Sequence, residues 1–303
     1  MLLNKQEERY RNKSAILATK HRKADALALP LRAGLGMKLR PYEIDTDQFG
    51  TFTGEIERQG TPIEAAVRKA RLAMRQASEA LAFASEGSFG PHPLVPYMAC
   101  SQEFLVLLDD ELGIQVSESV VSTDTNFSYA EVHSIDEAEE FLRRAKFPSH
   151  AVIVRPNKYA SSFLENVGRM VAGRRVDEPI HKGIKDREIL TAAIVACRQE
   201  SSDNLARIET DMRAHMNPTR MRVLRSLGIK LARRLRCTCP ECSCPGFGVT
   251  GVDGALPCED CGFPSDAHAV EIYSCPRCGY RKDSARADGF TSVEALFCQR
   301  CNP

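Results

Sequence analysis

The sequence predicts an α/β protein: a mixed sheet flanked by helices, followed by a small C-terminal zinc-ribbon module with two four-cysteine zinc sites. Short apolar runs alternate with amphipathic helical segments over the first two thirds of the chain, the pattern of an α/β sheet. Of 12 cysteines, ten lie between Cys237 and Cys301. At 303 residues, the length suits about two domains. We divide the chain into an α/β domain over 1–218, a basic amphipathic bridge helix over 219–236 and a double zinc-ribbon module over 237–303. Hydrophobic residues make up 43% and charged residues 27%, which excludes a disordered or collagen-like chain. A formal charge of +1 excludes a molecule that is strongly basic as a whole.

The elements follow in order. Ala15–Thr19 reads as a short buried strand running into the basic loop Lys20-His21-Arg22-Lys23, with a helix from Asp25. The segment 45–60, rich in Gly and Thr, lacks helical periodicity and reads as loop with a strand or two. Thr61, Pro62 and Glu64 form a capping box with a proline start, opening a helix to about Ala80 whose apolar face carries Ile63, Ala66, Val67, Ala70, Ala73 and Met74. Leu81–Ala84 is a short strand feeding a turn over Ser85–Gly90. Phe104–Leu108 and Val116–Val121 are strands. Ser134 and Glu137 make a second capping box for a helix to about Lys146. Ala151–Val154 is a strand, Asp186–Glu200 a helix and Ala206–Glu209 a strand. Met221, Leu224, Leu227, Leu231 and Leu235 then form one apolar stripe. The same segment carries seven Lys/Arg and no acid. It reads either as a packing helix with a solvated basic face or as a helix facing phosphate or nucleic acid.

Four C-x2-C pairs stand out in the tail: Cys239/Cys242, Cys258/Cys261, Cys275/Cys278 and Cys298/Cys301. Two intervening residues let both thiolates of a pair reach one ion, and eight thiolates supply two closed tetrahedral sites, the pattern of structural zinc. Clustered cysteines without an export signal point to metal rather than disulfides. Sequential pairing, first pair with second and third with fourth, is the expectation, with a cross-brace of first with third as the alternative. Cys237 and Cys244 are left over, and His268 is a weaker ligand candidate. A segment this small lacks an adequate apolar core, which metal replaces. Residues 219–303 hold only three more basic than acidic residues, and each four-thiolate zinc site adds two negative charges. The tail is therefore not a generically basic ribbon.

Three segments of the α/β part carry candidate chemistry. Lys23 ends a cationic loop after the first strand and before a helix, a place suited to phosphate. Glu64 and Glu86 are candidate catalytic carboxylates, able to ligate a cation or activate water. His181 and Lys182 precede a helix start and suit a phosphate or a base edge. In Asp211–Arg220, Asp211, Arg213 and His215 alternate, which in extended chain places them on one face. Asn217 or Thr219 caps the following helix. Arg213, His215 and Arg220 are candidate substrate ligands, and the segment also reads as a buried polar network. Asp45, Asp47, Glu55 and His92 are further candidates for the same cleft. Cys100 and Cys197 lack a nearby motif and read as packing cysteines.

Four of these segments resemble, in order, the house-cleaning nucleoside triphosphate pyrophosphatases of the inosine/xanthosine triphosphatase-like fold. Leu17-Ala18-Thr19-Lys20-His21-Arg22-Lys23 resembles their L-A-T-x-N-x-x-K, and Glu64-Ala65-Ala66-Val67-Arg68-Lys69-Ala70 their E-N-A-x-x-K-A. Ala84-Ser85-Glu86-Gly87-Ser88 resembles A-D-D-S-G, and Ile180-His181-Lys182-Gly183 resembles S-H-R-G. The departures are His21 for asparagine, Lys23 one position early, an acidic pair reduced to Ser85-Glu86, and Ile180 for serine. The resemblance implies that Lys23 holds phosphate, that Glu64 and Glu86 hold Mg²⁺ or Mn²⁺ and position water, and that His181 and Lys182 contact substrate. Longer segments are similar to the bacterial domain-of-unknown-function 6671 family over nearly the whole chain. They are DTDQFGTFTGE from Asp45, ASEGSFGPHP from Ala84, TDMRAHMNPTRM from Thr210 and the Cys-Pro-x-Cys tail. That likeness implies a family without implying a reaction.

The reading is thus a zinc-containing protein with a divalent-metal-dependent nucleotide phosphohydrolase or pyrophosphatase activity. The alternative is a non-catalytic zinc-ribbon protein that binds nucleic acid, through 219–236, or a protein partner. The start of the chain is charged and lacks the apolar core of a signal peptide. No segment suits a membrane span, so a cytoplasmic location is expected. Substrate and oligomeric state stay open.

Overall fold

β1 (Ser14–Ala18) is buried from Ala15 onward, because Ala15, Ile16, Leu17 and Ala18 all meet helices. In the computed structural model, which describes residues 9–44, 60–92, 95–158 and 179–303, this strand is the pivot of the first sheet. α1 (Ala24–Leu35) returns the chain to β2 (Lys38–Tyr42), parallel to β1 on one side. α2 (Pro62–Ala77) leads to β3 (Leu81–Pro91), parallel to β1 on the other side. β4 (Ala99–Asp109) and β5 (Ile114–Ser122) complete the sheet as antiparallel strands. The strand order is β2-β1-β3-β4-β5, a mixed sheet.

Helices cover both faces. α2 begins with the predicted capping box, in which Glu64 N donates to Thr61 Oγ1 and Thr61 N donates to Glu64 Oε2. Its small residues Ala66, Ala70 and Ala73 lie against Ile16, Ala82, Ala84 and Val106. On the opposite face α1 packs beside α5 (Pro218–Arg236). There Leu27 and Leu31 join Leu227, Leu231 and Leu235 over Leu17, Phe83, Leu105 and Leu107. The two helices approach closely: a Cβ on Gly34 would stand 2.8 Å from Ala232 Cβ. The segment expected to bridge two parts of the chain is thus one of the helices that build the first sheet's core.

The remaining described residues of the α/β part form a second, fully antiparallel sheet. Its order is β6 (Tyr129–Val132), β9 (Ala206–Thr210), β7 (Val152–Pro156) and β8 (His181–Ile184). α3 (Glu139–Ala145) and α4 (Arg187–Gln199) supply Phe141, Leu142, Leu190 and Ile194 to its core. Asp186 caps α4 by accepting from Glu188 N and Ile189 N. The second capping box forms only in half: Glu137 N donates to Ser134 Oγ, but the Glu137 carboxylate accepts from His133 N, both bonds close turns, and α3 begins only at Glu139.

One expected turn is not a turn. Ser85–Gly90 continues β3, because β4 pairs with it without a break from Leu81↔Asp109 to Pro91↔Ala99. The Gly and Ser content that suggests a turn has another cause at Gly87. A Cβ there would lie 2.6 Å from the Arg220 guanidinium and 2.8 Å from the Glu103 carboxylate.

The C-terminal module is a three-stranded antiparallel sheet of β10 (Gly248–Asp253), β11 (Val270–Ser274) and β12 (Arg281–Ala285). No helix among the described residues is long and apolar enough to cross a membrane.

Candidate metal centres and a buried polar crevice

The eight predicted thiolates converge on two points. Cys239, Cys242, Cys275 and Cys278 form one cluster; Cys258, Cys261, Cys298 and Cys301 form the other. Across the first cluster Cys239 Sγ lies 3.7 Å from Cys278 Sγ, and Cys242 Sγ 3.6 Å from Cys275 Sγ. Across the second the distances are 3.9 Å for Cys258–Cys301 and 3.7 Å for Cys261–Cys298. Four sulfurs about 2.3 Å from a tetrahedral zinc stand about 3.8 Å from one another, so both clusters fit zinc. With all four positions taken by protein, each site is structural in kind.

The pairing is interleaved, first knuckle with third and second with fourth, which corrects the sequential expectation. The module's sheet is the reason. Antiparallel pairing sets Gly248 opposite Ser274 and Ser274 opposite Arg281. The chain just before β10 and the chain just after β11 therefore meet at one end of the sheet. The β10–β11 connection and the segment after β12 meet at the other. Cys237, Cys244 and His268 stay outside both clusters. The first cluster is built into the protein body, with Cys239, Cys244 and Cys275 packing in the core beneath α5. Arg234 ties this junction by donating to Gly246 O at 3.1 Å, Val249 O at 2.8 Å and Glu118 Oε1 at 3.0 Å.

The second feature is a crevice at the carboxyl end of β1. There α1 leads to one side and α2 follows to the other, on opposite faces of the sheet. This is a topological switch point, the usual ligand crevice of open α/β sheets. Beyond Ala18 the strand β3 runs on without β1 beside it. Lys23, only 7% exposed, fills that edge and donates from Nζ to Ser85 O at 3.0 Å. Burial, with the Arg220 guanidinium nearby, lowers Lys23 to about 7, against the opposing pull of Glu86 and Glu103.

Two buried ion pairs flank Lys23 on opposite faces of the β3–β4 ribbon. Paired antiparallel residues share a face. Glu86, opposite Phe104, points to α2, where Lys69 Nζ donates to Glu86 Oε1. Glu103, opposite Gly87, points to α5, where Arg220 meets it with Nε at 2.6 Å and a terminal nitrogen at 3.1 Å. Arg220 is also held by Met212 O and lies over the Phe89 ring at 5.0 Å. Ser85 Oγ, in the same strand, is buried with no hydrogen-bond partner among the described residues. Such an orphan inside a polar crevice marks a place for water, an ion or a ligand.

The 211–220 segment forms the adjoining wall. Asp211 is fully buried and receives Arg213 through Nε at 3.0 Å and a terminal nitrogen at 2.6 Å. The predicted alternation ends there, because Ala214–Met216 form a 3-10 turn. His215 consequently leaves Asp211 and stacks on His21 of the β1–α1 loop, ring centroids 5.3 Å apart. Burial and the neighbouring Lys23 push His21 down to about 4. Burial and Arg213 also lower His215, so both rings are neutral at pH 7. Asn217 caps α5 by accepting from Arg220 N at 3.0 Å and donates to Asn126 Oδ1 at 2.8 Å. His150 Nε2 accepts from Thr219 N at 3.2 Å. The segment is thus a buried polar joint between the second sheet and α5.

Of the sequence-predicted residues, Lys23, Glu86 and Arg220 meet at the crevice, with Arg213 and His215 at its wall. Glu64 does not join them: it is exposed at the start of α2, occupied with capping Thr61. His181 and Lys182 lie exposed on β8, an edge strand rather than a helix start. Gly183 of that strand nears the wall, where a Cβ would stand 3.1 Å from Arg213. His92 follows the end of β3 at Pro91, about 20 Å from Glu86 at the rise of an extended chain. Asp45, Asp47 and Glu55 fall outside the described residues. Sequence reasoning missed Lys69, Glu103 and Ser85. Lys69 was legible as the lysine of the Glu64–Ala70 motif, and Glu103 as an acid heading an otherwise apolar strand. Among the described residues, the thiolate clusters are the only convergent sets of three or more metal-ligating groups. Glu64 and Glu86 do not form one.

No curated protein matches the chain. The model of a family described as "Domain of unknown function (DUF6671)" matches residues 69–303, a span that takes in Lys69, Glu86, Glu103, Arg220 and all eight clustered cysteines but not Lys23. The chain belongs to this DUF6671 family.

Proposed function

We propose that the crevice binds the phosphates of a nucleotide and hydrolyses a phosphoanhydride bond. The observation that carries this reading is Lys23, a buried lysine at the switch point between two buried carboxylate pairs. The ordered resemblance of residues 17–23, 64–70, 84–88 and 180–183 to nucleoside triphosphate pyrophosphatases supports it. An arriving phosphate stabilises the ammonium form of Lys23, which takes up a proton and holds the anion. The same phosphate competes with Glu86 for Lys69. Released from that pair, the Glu86 carboxylate accepts the proton of the water that attacks phosphorus, while the leaving phosphate carries away the bond pair. His21 and His215, neutral and stacked, close the crevice wall without adding charge.

Among the described residues, the acidic side chains do not build a divalent-ion site of their own. Mg²⁺ or Mn²⁺ would therefore come on the nucleotide's phosphates, as Mg²⁺ ordinarily does, and supply neutralisation of their charge. The test is a phosphate- and pyrophosphate-release screen over standard and deaminated nucleoside triphosphates, with Mg²⁺ and with Mn²⁺. Glu86→Gln and Lys23→Met are run beside the wild type, with nucleotide binding measured in parallel. We expect metal-dependent turnover that falls by about 100-fold or more in Glu86→Gln. Bound nucleotide without turnover in the wild type would overturn the catalytic reading; turnover intact in Glu86→Gln would move the chemistry elsewhere.

A further inference from the structure

The cations of α5 sort into three groups by what surrounds them. Arg220 is buried on Glu103. Lys230 and Arg234 both pair with Glu118, at 3.0 Å each. Arg222, Arg225, Arg233 and Arg236 are exposed, and with Ile229, itself 41% exposed, they recur at intervals of three and four. That spacing places them in one line along the helix, about 21 Å from end to end at 1.5 Å per residue. Arg222 holds Asp124 at 3.1 Å, but both side chains are more than half exposed. Such a pair contributes little and yields to a stronger anion. Arg225 and Arg233 have no acidic partner among the described residues.

The line ends in a groove of about 340 Å³ between the β1–α1 loop and the start of α5, lined by Arg22, Asp25, His215, Met221, Arg222 and Arg225. Its lining is apolar at Met221 and carries three arginines against one acid, Asp25, which Arg22 pairs at 2.8 Å. His215 Nδ1 is buried at its wall with no hydrogen-bond partner among the described residues. A cavity of this size admits a single base with its sugar. Arginine forks suit the phosphates on either side.

We propose that this face binds single-stranded nucleic acid, with successive phosphodiesters on Arg222, Arg225 and Arg233 and one nucleotide seated in the groove. A single strand is favoured over a duplex because a paired base cannot enter the groove, and the exposed Ile229 offers an apolar contact to an unstacked base. The groove adjoins the hydrolytic crevice at the shared wall of His215, but Arg222, Arg225 and Arg233, which would hold the phosphodiesters, are not crevice residues, and the proposal does not depend on hydrolysis.

The test is fluorescence anisotropy of the full-length, zinc-loaded protein with a labelled mixed-sequence oligonucleotide, DNA and RNA, single-stranded and as duplex, over a salt series. Three phosphate contacts give a log–log salt slope of about −2 for a single strand. The variant Arg225→Glu/Arg233→Glu should weaken binding by about tenfold or more and bring the slope nearer −1. It should leave zinc content and nucleotide hydrolysis unchanged. Absence of binding at low salt, unchanged affinity in the variant, or tighter binding of duplex would each overturn the proposal. So would equal displacement by polyglutamate, or binding confined to vesicles of anionic lipid. Loss of oligonucleotide binding with hydrolysis intact separates this site from the crevice.

Discussion

The zinc module and the crevice are both assemblies of polar, chemically active side chains, and they are put together in opposite ways. The module draws its eight ligands from 63 consecutive residues, between Cys239 and Cys301. Two thiolate clusters stand where an apolar core would otherwise be. The crevice draws Lys23, Lys69, Glu86, Glu103 and Arg220 from positions spread over two thirds of the chain. It can bury them only because three helices and a five-stranded sheet already exclude water around them. In the module the polar groups make the fold; in the body the fold makes the polar groups tolerable. The first cluster joins the two regimes, since Cys239 and Cys275 pack in the same core as Leu231 and Leu235.

The sharpest break of this contrast is to remove the metal. A chelator strong enough to strip both ions should unfold residues 237–303, because binding free energy at a structural zinc site is folding free energy. The body should keep its far-ultraviolet signal while losing some stability where the first cluster meets α5. Cysteine variants then test the interleaving. Cys239→Ser/Cys275→Ser damages one site and should leave one zinc per chain by native mass spectrometry. Cys239→Ser/Cys258→Ser damages both and should leave none. The reverse pattern would restore sequential pairing.

The body's counterpart is Arg220. Truncating it to methionine strands Glu103 in a fully buried position. Breaking a buried pair in this way costs about 3–5 kcal/mol. The double variant Arg220→Met/Glu103→Leu removes both charges and should recover most of that loss, since apolar replacements of buried pairs are often neutral. Urea unfolding of the two variants checks this. Equal destabilisation of single and double variants would mean that the surrounding contacts, Met212 O and the Phe89 ring, matter more than the charge pair.

The difference between the regions also explains what could be read from the sequence. Zinc ligands announce themselves because two cysteines three apart must serve one ion, whatever the rest of the chain does. Yet the partner of each knuckle depends on strand pairing in β10–β12, a non-local fact that spacing does not encode. The helices and most strands of the body are legible in the sequence, as is the Thr61 capping box, and Asn217 is one of the two caps it offers; β2, β6 and β8, short strands with exposed or polar residues, are not. The Ser85–Gly90 segment was not, since its glycine answers to Arg220 lying 133 residues away rather than to a turn. Lys69 and Glu103 were missed for the same reason. A charged residue within an apolar pattern reads as a surface position until the opposite charge from another element is placed against it.

Lys23 offers a smaller and pH-dependent probe of the crevice. In the unfolded chain it holds its proton up to an ordinary value of 10.5, and in the fold only up to about 7. Between those values the unfolded state binds more protons, so this group makes stability rise with pH. Below about 7 both states are protonated and the penalty of burying the charge is complete. Lys23→Met should therefore be more stable than wild type at pH 6, with the advantage shrinking as pH climbs from 7 toward 10. Stability curves for the two proteins that run parallel across this range would show that Lys23 titrates normally, and that the crevice is wetter than its 7% exposure implies.

The smallest expected effect belongs to Glu64, the predicted catalytic carboxylate that lies away from the crevice. Its visible role is to accept the Thr61 N–H at 2.8 Å, the return half of the capping box. A glutamine carbonyl can accept the same bond, as it does in capping boxes generally. Glu64→Gln should therefore leave both unfolding and nucleotide hydrolysis close to wild type. Thr61→Ala, which removes the other half, should cost about 1 kcal/mol with no change in turnover per folded molecule. A stable Glu64→Gln protein that has lost hydrolysis would place this carboxylate in the chemistry. The reacting site would then extend from the β3 edge to the first turn of α2, and capping and catalysis would share one residue.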